Sequence, residues 1–465
     1  MAFKKNNLKK SALIPNLIGV TALCIVIFIG YYFIKDTSIF NFNIDKNNTL
    51  TKSGVIDKKQ NIPDNNTNSE INILVLGRGG GSHEAPNLTD TIILASINLK
   101  TRIVSMLSIP RDIYTEYPEG LRDGKINGLY ASVTHKYDSK KEGIKAIQEK
   151  ITLMTGEEID YYINVDFDGF KKIIDTIGGV EITIPENFVD YRYPDGNWGY
   201  KTLVFKEGTW IFDGENALKY ARSRHSTSDF DRSIRQQQVI KAIKEKLNGS
   251  YFLTSPGKVK ELYDVFINHV ETNLTLPNIL KLAYNLNGKG DYKIISSNLN
   301  DTCFYGSATC TKGGFLYSPS RDMFGGMSVL LVEGTDVSDL NNFEKLKKYT
   351  DIVLNYPKVY DENYQINIFN GVKVRNLASQ LSNDIIKYGF NIPEKDSIGN
   401  ADKIYEKSII YYNNIDENSD TLKILNKFFD GKIIKTETPM FSETDAKIEI
   451  VIGEDYNTNV NPFKF

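Results

Sequence analysis

The chain has 465 residues, and 56 Lys plus Arg against 58 Asp plus Glu leave a formal net charge of −2. That balance removes the concentrated basic surface nucleic-acid binding needs, while 41% hydrophobic residues exclude a charge-extended disordered chain. With 3 cysteines and 4 scattered histidines there is no disulfide-dense scaffold, four-cysteine zinc site or HExxH helix. Length allows about three domains.

Residues 12–34 (ALIPNLIGVTALCIVIFIGYYFI) carry no charge. A bilayer core asks for about 20 such residues in a helix. Lys4, Lys5, Lys9 and Lys10 precede the run, and only Lys35, beside Asp36, follows closely. The positive-inside rule then predicts a cytoplasmic tail at 1–11 and everything after the span outside. A cleaved signal peptide would end in small residues, whereas this run ends in Tyr-Tyr-Phe-Ile-Lys. The expectation is an uncleaved, single-pass anchor in the cell membrane. Residues 35–70, rich in Asn, Asp, Lys and Thr, predict a linker.

Residues 71–77, 91–97 and 103–109 are apolar, β-branched runs of strand length. The short turn at 98–102 makes a hairpin of the last two. Helical spacing follows at 141–154 and 167–177. Gly178-Gly179 stops the second helix, a strand returns at 180–184, and another helix starts near Gly214. Strands interleaved with helices predict a mixed sheet covered by helices. Cys303 and Cys310 sit in a Gly/Ser/Thr-rich segment. They form a local disulfide in an oxidising compartment, or stay as two thiols otherwise. From about Gln365 a smaller α/β unit is predicted, with strands at 366–369, 408–412 and 448–452 and helices at 378–388 and 421–429.

The segment 221–238 (ARSRHSTSDFDRSIRQQQ) holds Arg222, Arg224, Arg232 and Arg235, with Asp229 and Asp231 among them. At 100° per residue, Val239, Ile240, Ile243 and Leu247 form one helical stripe that should face a core. Arg232, Arg235 and Gln236 extend that stripe and should also point inward. Inward arginines at a helix start call for an anion, and phosphate suits guanidinium forks. A structural lattice with Asp229 and Asp231 is the alternative. Arg111, in Ser108-Ile109-Pro110-Arg111-Asp112, follows a strand, where open α/β sheets place ligands; Asp112 is placed to orient it. Asp90 directly precedes the second strand and is a candidate ligand for Mg²⁺. His225 is a further candidate for phosphate contact. The loop 77–82 (GRGGGS) is neither a Walker loop nor GxGxxG and reads as a turn. No GxSxG elbow is present.

Several motifs occur in one order: TDTI at 89–92, LSIPRD at 107–112, KIN at 125–127, F..IIDTIGGVEI at 170–182 and ALKYARSRHSTSDFDRSIRQQQ at 217–238. Together they resemble the LytR-CpsA-Psr family over about residues 70–250. Residues 362–453 are similar to the small C-terminal domain of some members. The resemblance implies a three-layer α/β/α sandwich with a mixed central sheet, an N-terminal transmembrane helix at 12–34 and a linker at 35–70. It further implies a catalytic domain at 71–250, an extension of it at 251–360, and a LytR-type C-terminal α/β domain at 361–455. The implied activity is extracytoplasmic phosphotransfer, attaching a glycopolymer from a polyprenyl pyrophosphate carrier to peptidoglycan through a phosphodiester, assisted by Mg²⁺. Carried over position by position, Asp90 resembles the metal ligand. Arg111, Arg222, Arg224, Arg232 and Gln236 resemble pyrophosphate binders. Asp229, with Arg222 and Arg224, falls on catalytic positions, and Asp229 is the candidate base.

One place departs from the pattern. Many members have an Asp after the first strand, where this chain reads Gly77-Arg78-Gly79. Glu84 or His83 could substitute, or Arg78 could replace metal charge with its own. A polyprenyl pyrophosphate hydrolase and a non-catalytic polyprenyl-phosphate or cell-wall binding module stand as alternatives. A cytoplasmic transcription regulator conflicts with the topology and the flat net charge.

Overall fold

The computed structural model describes residues 70–81, 85–195, 199–223, 256–275, 292–303, 310–393, 397–429, 431–442 and 444–456, with short pieces within 235–246 and 278–282. The expected membrane span at 12–34 lies outside the described residues, and among those described no helix is long and apolar enough to cross a membrane. The chain forms two compact units, the first from residues up to 111, 126–148 and 158–298, the second from 112–125, 149–157 and 299 onward. Strands of three or more residues are numbered below in chain order.

The first unit is built on a six-stranded mixed sheet. Its strands are β1 (Glu70–Arg78), β2 (Thr89–Asn98), β3 (Ile103–Ser108), β4 (Tyr161–Asp166), β9 (Val270–Thr272) and β10 (Lys293–Asn298). The order across the sheet is β9-β4-β1-β2-β3-β10. β2 runs antiparallel to both β1 and β3, while β4 runs parallel to β1 and β10 parallel to β3. Successive side chains leave a strand on opposite faces. Ile73, Val75, Ile93, Ala95 and Ile97 point to one face, where they share a core with helices α3 (Phe167–Thr176), α4 (Gly214–Arg222) and α5 (Pro256–His269). Leu74, Leu76, Ile92 and Leu94 point to the other face and are equally buried. There α1 (Ile126–Tyr137) packs on β2. A central strand buried on both faces needs a continuous apolar run, which is what β1 and β2 supply. Each such Leu or Ile contributes about 1.5–3 kcal/mol by leaving water.

Helix α2 (Lys140–Thr155) follows α1. Asp166 caps α3 by accepting from Gly169 N at 2.8 Å, and Asp213 caps α4 by accepting from Asn216 N at 2.8 Å. Asp175, near the end of α3, accepts from Gly214 N at 2.8 Å and so ties the start of α4 to α3. Gly178 and Gly179 end α3 with φ of +78° and +79°, a conformation that suits glycine. Two antiparallel pairs complete the unit: β5 (Val180–Ile184) with β8 (Gly208–Phe212), and β6 (Phe188–Pro194) with β7 (Tyr200–Phe205).

The second unit contains a five-stranded sheet, in the order β12-β11-β15-β13-β14, from β11 (Ile366–Asn370), β12 (Ile398–Asn400), β13 (Ile409–Tyr412), β14 (Lys432–Lys435) and β15 (Ile448–Ile452). Its helices are α6 (Glu344–Asn355), α7 (Val359–Glu362), α8 (Leu377–Lys387) and α9 (Asp420–Phe429). Residues from 299 onward pack with this sheet. Phe315 and Tyr349 meet Tyr388 in an aromatic cluster, and Glu333 binds Lys345 at 2.7 Å and Lys387 at 3.0 Å. Cys303 and Cys310 form a disulfide.

Several features exceed what the sequence patterns predicted. α1 (INGLYASVTHKY) carries a weak helical signal, because Gly128, Ser132 and Thr134 blur its periodicity. β12 and β14 are short edge strands with too few residues to show alternation. β9 and β10 join the main sheet from beyond residue 250, since sheet edges are filled by register rather than by proximity in sequence.

Candidate functional site

Four strand ends meet at one edge of the main sheet. β1 ends at Arg78, β4 at Asp166 and β3 at Ser108, while the antiparallel β2 begins there at Thr89. In register Arg78 faces both Thr89 and Asp166, and Ser108 faces Ile93. Ligands of open α/β sheets bind outside the carboxyl ends of parallel strands. Asp90, Arg111, Arg78, Asp166 and Phe167 are gathered there by topology, although they span 90 residues of chain.

Asp90 and Arg111 form an ion pair, Oδ1 to Nη1 at 2.9 Å, with both side chains about one-third exposed. Asn127, at the start of α1, holds the pair from behind. Its side-chain amide donates to the same Asp90 Oδ1 at 3.2 Å, its backbone N–H donates to Arg111 O at 3.3 Å, and its carbonyl accepts from Thr89 Oγ1 at 3.2 Å. Both donors converge on one carboxylate oxygen, which leaves Oδ2 as the oxygen available to a cation. Asp112 is ion-paired with Lys125 Nζ at 2.6 Å, and the Asp90 carboxylate is bound to Arg111.

Arg222 ends α4. Its guanidinium lies over the Phe167 ring at 4.3 Å and 5.6 Å from the Tyr193 ring centroid, and Nη1 donates to the Tyr193 hydroxyl at 3.4 Å. Burial raises the Tyr193 hydroxyl pKa, with the Arg222 charge pulling the other way. Stacking on two rings fixes the plane of the guanidinium. Phe167 follows Asp166, so the Arg222 shelf is built on the end of β4.

Arg235, expected on the inward stripe, is 6% exposed and on the same face as the fully buried Val239 and Ile243. Its Nη2 donates to Ser223 O, and its guanidinium stacks on Phe188 at 4.9 Å. It braces the chain after α4. Arg224, His225, Asp229, Arg232 and Gln236, together with His83 and Glu84, lie outside the described residues. Of the expected site, the structure brings Asp90 and Arg111 into contact and sets Arg222 at the same sheet edge. Arg78 is the residue the sequence offered as a substitute for metal charge, and the structure sets it beside Asp166; Asn127, Phe167, Tyr193 and Asp166 were not singled out from sequence as parts of the site. Only the KIN motif held a signal for one of them, Asn127.

Among the described residues no three His, Cys, Asp or Glu side chains stand close enough to enclose a metal ion. A magnesium ion that keeps its waters needs only one or two carboxylates plus substrate phosphates. Asp90 Oδ2 meets that lower requirement.

The LytR_cpsA_psr family model matches residues 37–330. The chain belongs to the LytR-CpsA-Psr family. A second model, described as LytR cell envelope-related transcriptional attenuator, matches residues 363–456. Among relatives, the polyisoprenyl-teichoic acid–peptidoglycan teichoic acid transferase TagV of Bacillus subtilis is 28% identical over 221 residues, 47% of this chain and 53% of that protein. The match thus spans about half the length of that relative. TagU of Bacillus licheniformis, of the same description, is 28% identical over 340 residues, 72% of this chain and 99% of its own. The crystal structure of B. subtilis TagV aligns with a TM-score of 0.42 at 25% identity, over 62% of this chain and 98% of that one.

Proposed function

We propose that this family member is a membrane-anchored, extracytoplasmic phosphotransferase. It attaches a glycopolymer from a polyprenyl pyrophosphate carrier to peptidoglycan through a phosphodiester. The observation that carries the reading is the gathering of Arg111, Asp90 and Arg222 at the carboxyl edge of the mixed sheet. The relatives described as teichoic acid transferases support the same chemistry. The first unit is read as a three-layer α/β/α sandwich, residues 12–34 as the anchor and 361–455 as a LytR-type domain. The Cys303–Cys310 disulfide supports an oxidising, extracytoplasmic setting.

The two phosphates of the carrier-linked glycan sit against Arg222 and Arg111, joined by Arg224, Arg232 and Gln236. A sugar hydroxyl of peptidoglycan attacks the phosphorus that bears the glycan, and its proton passes to Asp229. The bond from that phosphorus to the bridging oxygen breaks, and prenyl monophosphate leaves with the electron pair. Phosphoryl transfer depends mostly on positioning and charge compensation, which the stacked guanidinium of Arg222 supplies without reorganising. Asp90 would hold Mg²⁺, which would add charge compensation when bound. An anchor keeps the site at the bilayer where the carrier resides, raising its effective concentration.

The test uses the full chain in detergent with a polyprenyl pyrophosphate-linked oligosaccharide and peptidoglycan fragments, with and without Mg²⁺. Mass spectrometry follows prenyl monophosphate release and sugar attachment. Release with attachment, lost in Arg222→Ala and Asp90→Ala, is expected. Release without attachment would make the chain a hydrolase, and binding without release a non-catalytic module.

A further inference from the structure

Arg78, the last residue of β1, is left unused by the mechanism above. Only 9% of its surface is exposed. A guanidinium carries five N–H donors and loses its hydration when buried, so a site that buries one must satisfy it. Here the satisfaction is thin. Nη2 meets Asp166 Oδ2 at 3.3 Å, and Nε finds no hydrogen-bond acceptor among the described residues. Asp166 is itself shared, because its Oδ1 caps α3 through Gly169 N. A well-formed Arg–carboxylate pair is bidentate and shorter. The geometry is that of a cation held in place by Asp166 with its Nε–H left without an acceptor among the described residues.

Position gives that donor a use. Arg78 faces Thr89, the neighbour of Asp90, on one side. On the other it faces Asp166, whose neighbour Phe167 carries Arg222. It therefore stands between the two halves of the site. Arg78, Arg111 and Arg222 bring three positive charges to this end of the sheet, beside the carboxylates of Asp90 and Asp166.

We propose that Arg78 is a built-in cation of this site, donating to an oxygen of the diphosphate so that the anion is held without a divalent ion. This rests on the function proposed above and deepens it: the diphosphate bridge is what Arg78 recognises, and Mg²⁺ supplements charge that the chain already supplies.

The test is calorimetric and independent of turnover. The full chain in detergent is titrated with inorganic pyrophosphate, once in EDTA and once with Mg²⁺. Wild type is expected to bind in EDTA. Arg78→Met, which keeps most of the bulk and removes the donors, is expected to weaken that binding by about tenfold or more, as loss of a charge-assisted contact does. The weakening should shrink when Mg²⁺ is present, and Arg78→Lys should recover part of it, neither of which a merely structural role would produce. Equal binding by wild type and Arg78→Met in EDTA would overturn the proposal, as would a wild type that binds only with Mg²⁺. Arg222→Ala separates the two readings. Loss of binding in Arg222→Ala with none in Arg78→Met removes the inference on Arg78 and leaves the proposed function. Unchanged binding in both removes the site assignment on which both stand.

Discussion

Arg222 is held by the Phe167 and Tyr193 rings and contributes a flat, oriented fork. Lysine keeps the charge and loses the fork and the stacking. Arg222→Ala is expected to lower kcat/KM for glycan transfer by about a hundredfold or more, the scale of removing one preorganised donor from developing charge. Arg222→Lys is expected to lower it nearly as far. Circular dichroism melts of both variants should match wild type closely, because the side chain is only half-buried; steady-state kinetics beside those melts check the pair. The arginine itself was legible from sequence, since four arginines crowd into the one segment 221–238. Its rings were not, because Phe167 and Tyr193 lie on other elements and carry no sign of the partner they meet.

The turn after β1 shows how one element sets another. Gly80 and Gly81 have φ of +65° and +47°, where side chains are strained. A Cβ at Gly80 would stand 2.4 Å from Asp166 Cβ, and one at Gly81 would stand 2.3 Å from Asp168 Oδ2. The loop crosses the start of α3 because it has no side chains there. Gly80→Ala is expected to destabilise the fold by about 1–3 kcal/mol in urea unfolding. It is also expected to reduce pyrophosphate affinity, since Asp166 holds Arg78. An affinity unchanged at equal stability would uncouple the turn from the site. The sequence marked this loop as a turn and excluded a phosphate-binding fingerprint. It could not reveal that the glycines serve an approach to Asp166, because that residue lies on the neighbouring strand.

In the whole molecule, burial far from the site sets a pH dependence of its own. Lys312, in the second unit, is held with Nζ 3.0 Å from the centroid of the Tyr360 ring, and burial pulls its pKa from 10.5 down to about 7. Tyr360 stays neutral, its own pKa raised well above 10 first by burial and then by Tyr349. The unfolded chain keeps the lysine proton up to about 10.5, and the folded chain gives it up from about 7. The folded state therefore gains stability from this group as pH rises across that window. The gain is lost as pH falls toward 7, where the buried charge becomes a constant penalty. Lys312→Met is expected to raise the melting temperature at pH 7 and to flatten its rise between pH 7 and 10. Thermal melts across that range check both parts. A lower melting temperature at pH 7 would mean that the cation–ring contact outweighs the desolvation.

The sequence by itself determined the order of the main strands and helices, the small α/β unit at the C-terminal end and the inward face that carries Arg235, Val239 and Ile243. These follow from local periodicity, turn residues and charge, which act over a few positions. The tertiary structure alone decided the strand order β9-β4-β1-β2-β3-β10, the closing of Asp90 onto Arg111 under Asn127, and the burial of Arg78 beside Asp166. These depend on hydrogen-bond register and on burial shared between segments far apart in the chain. No single stretch of sequence contains both partners of such a contact, so its pattern cannot announce them.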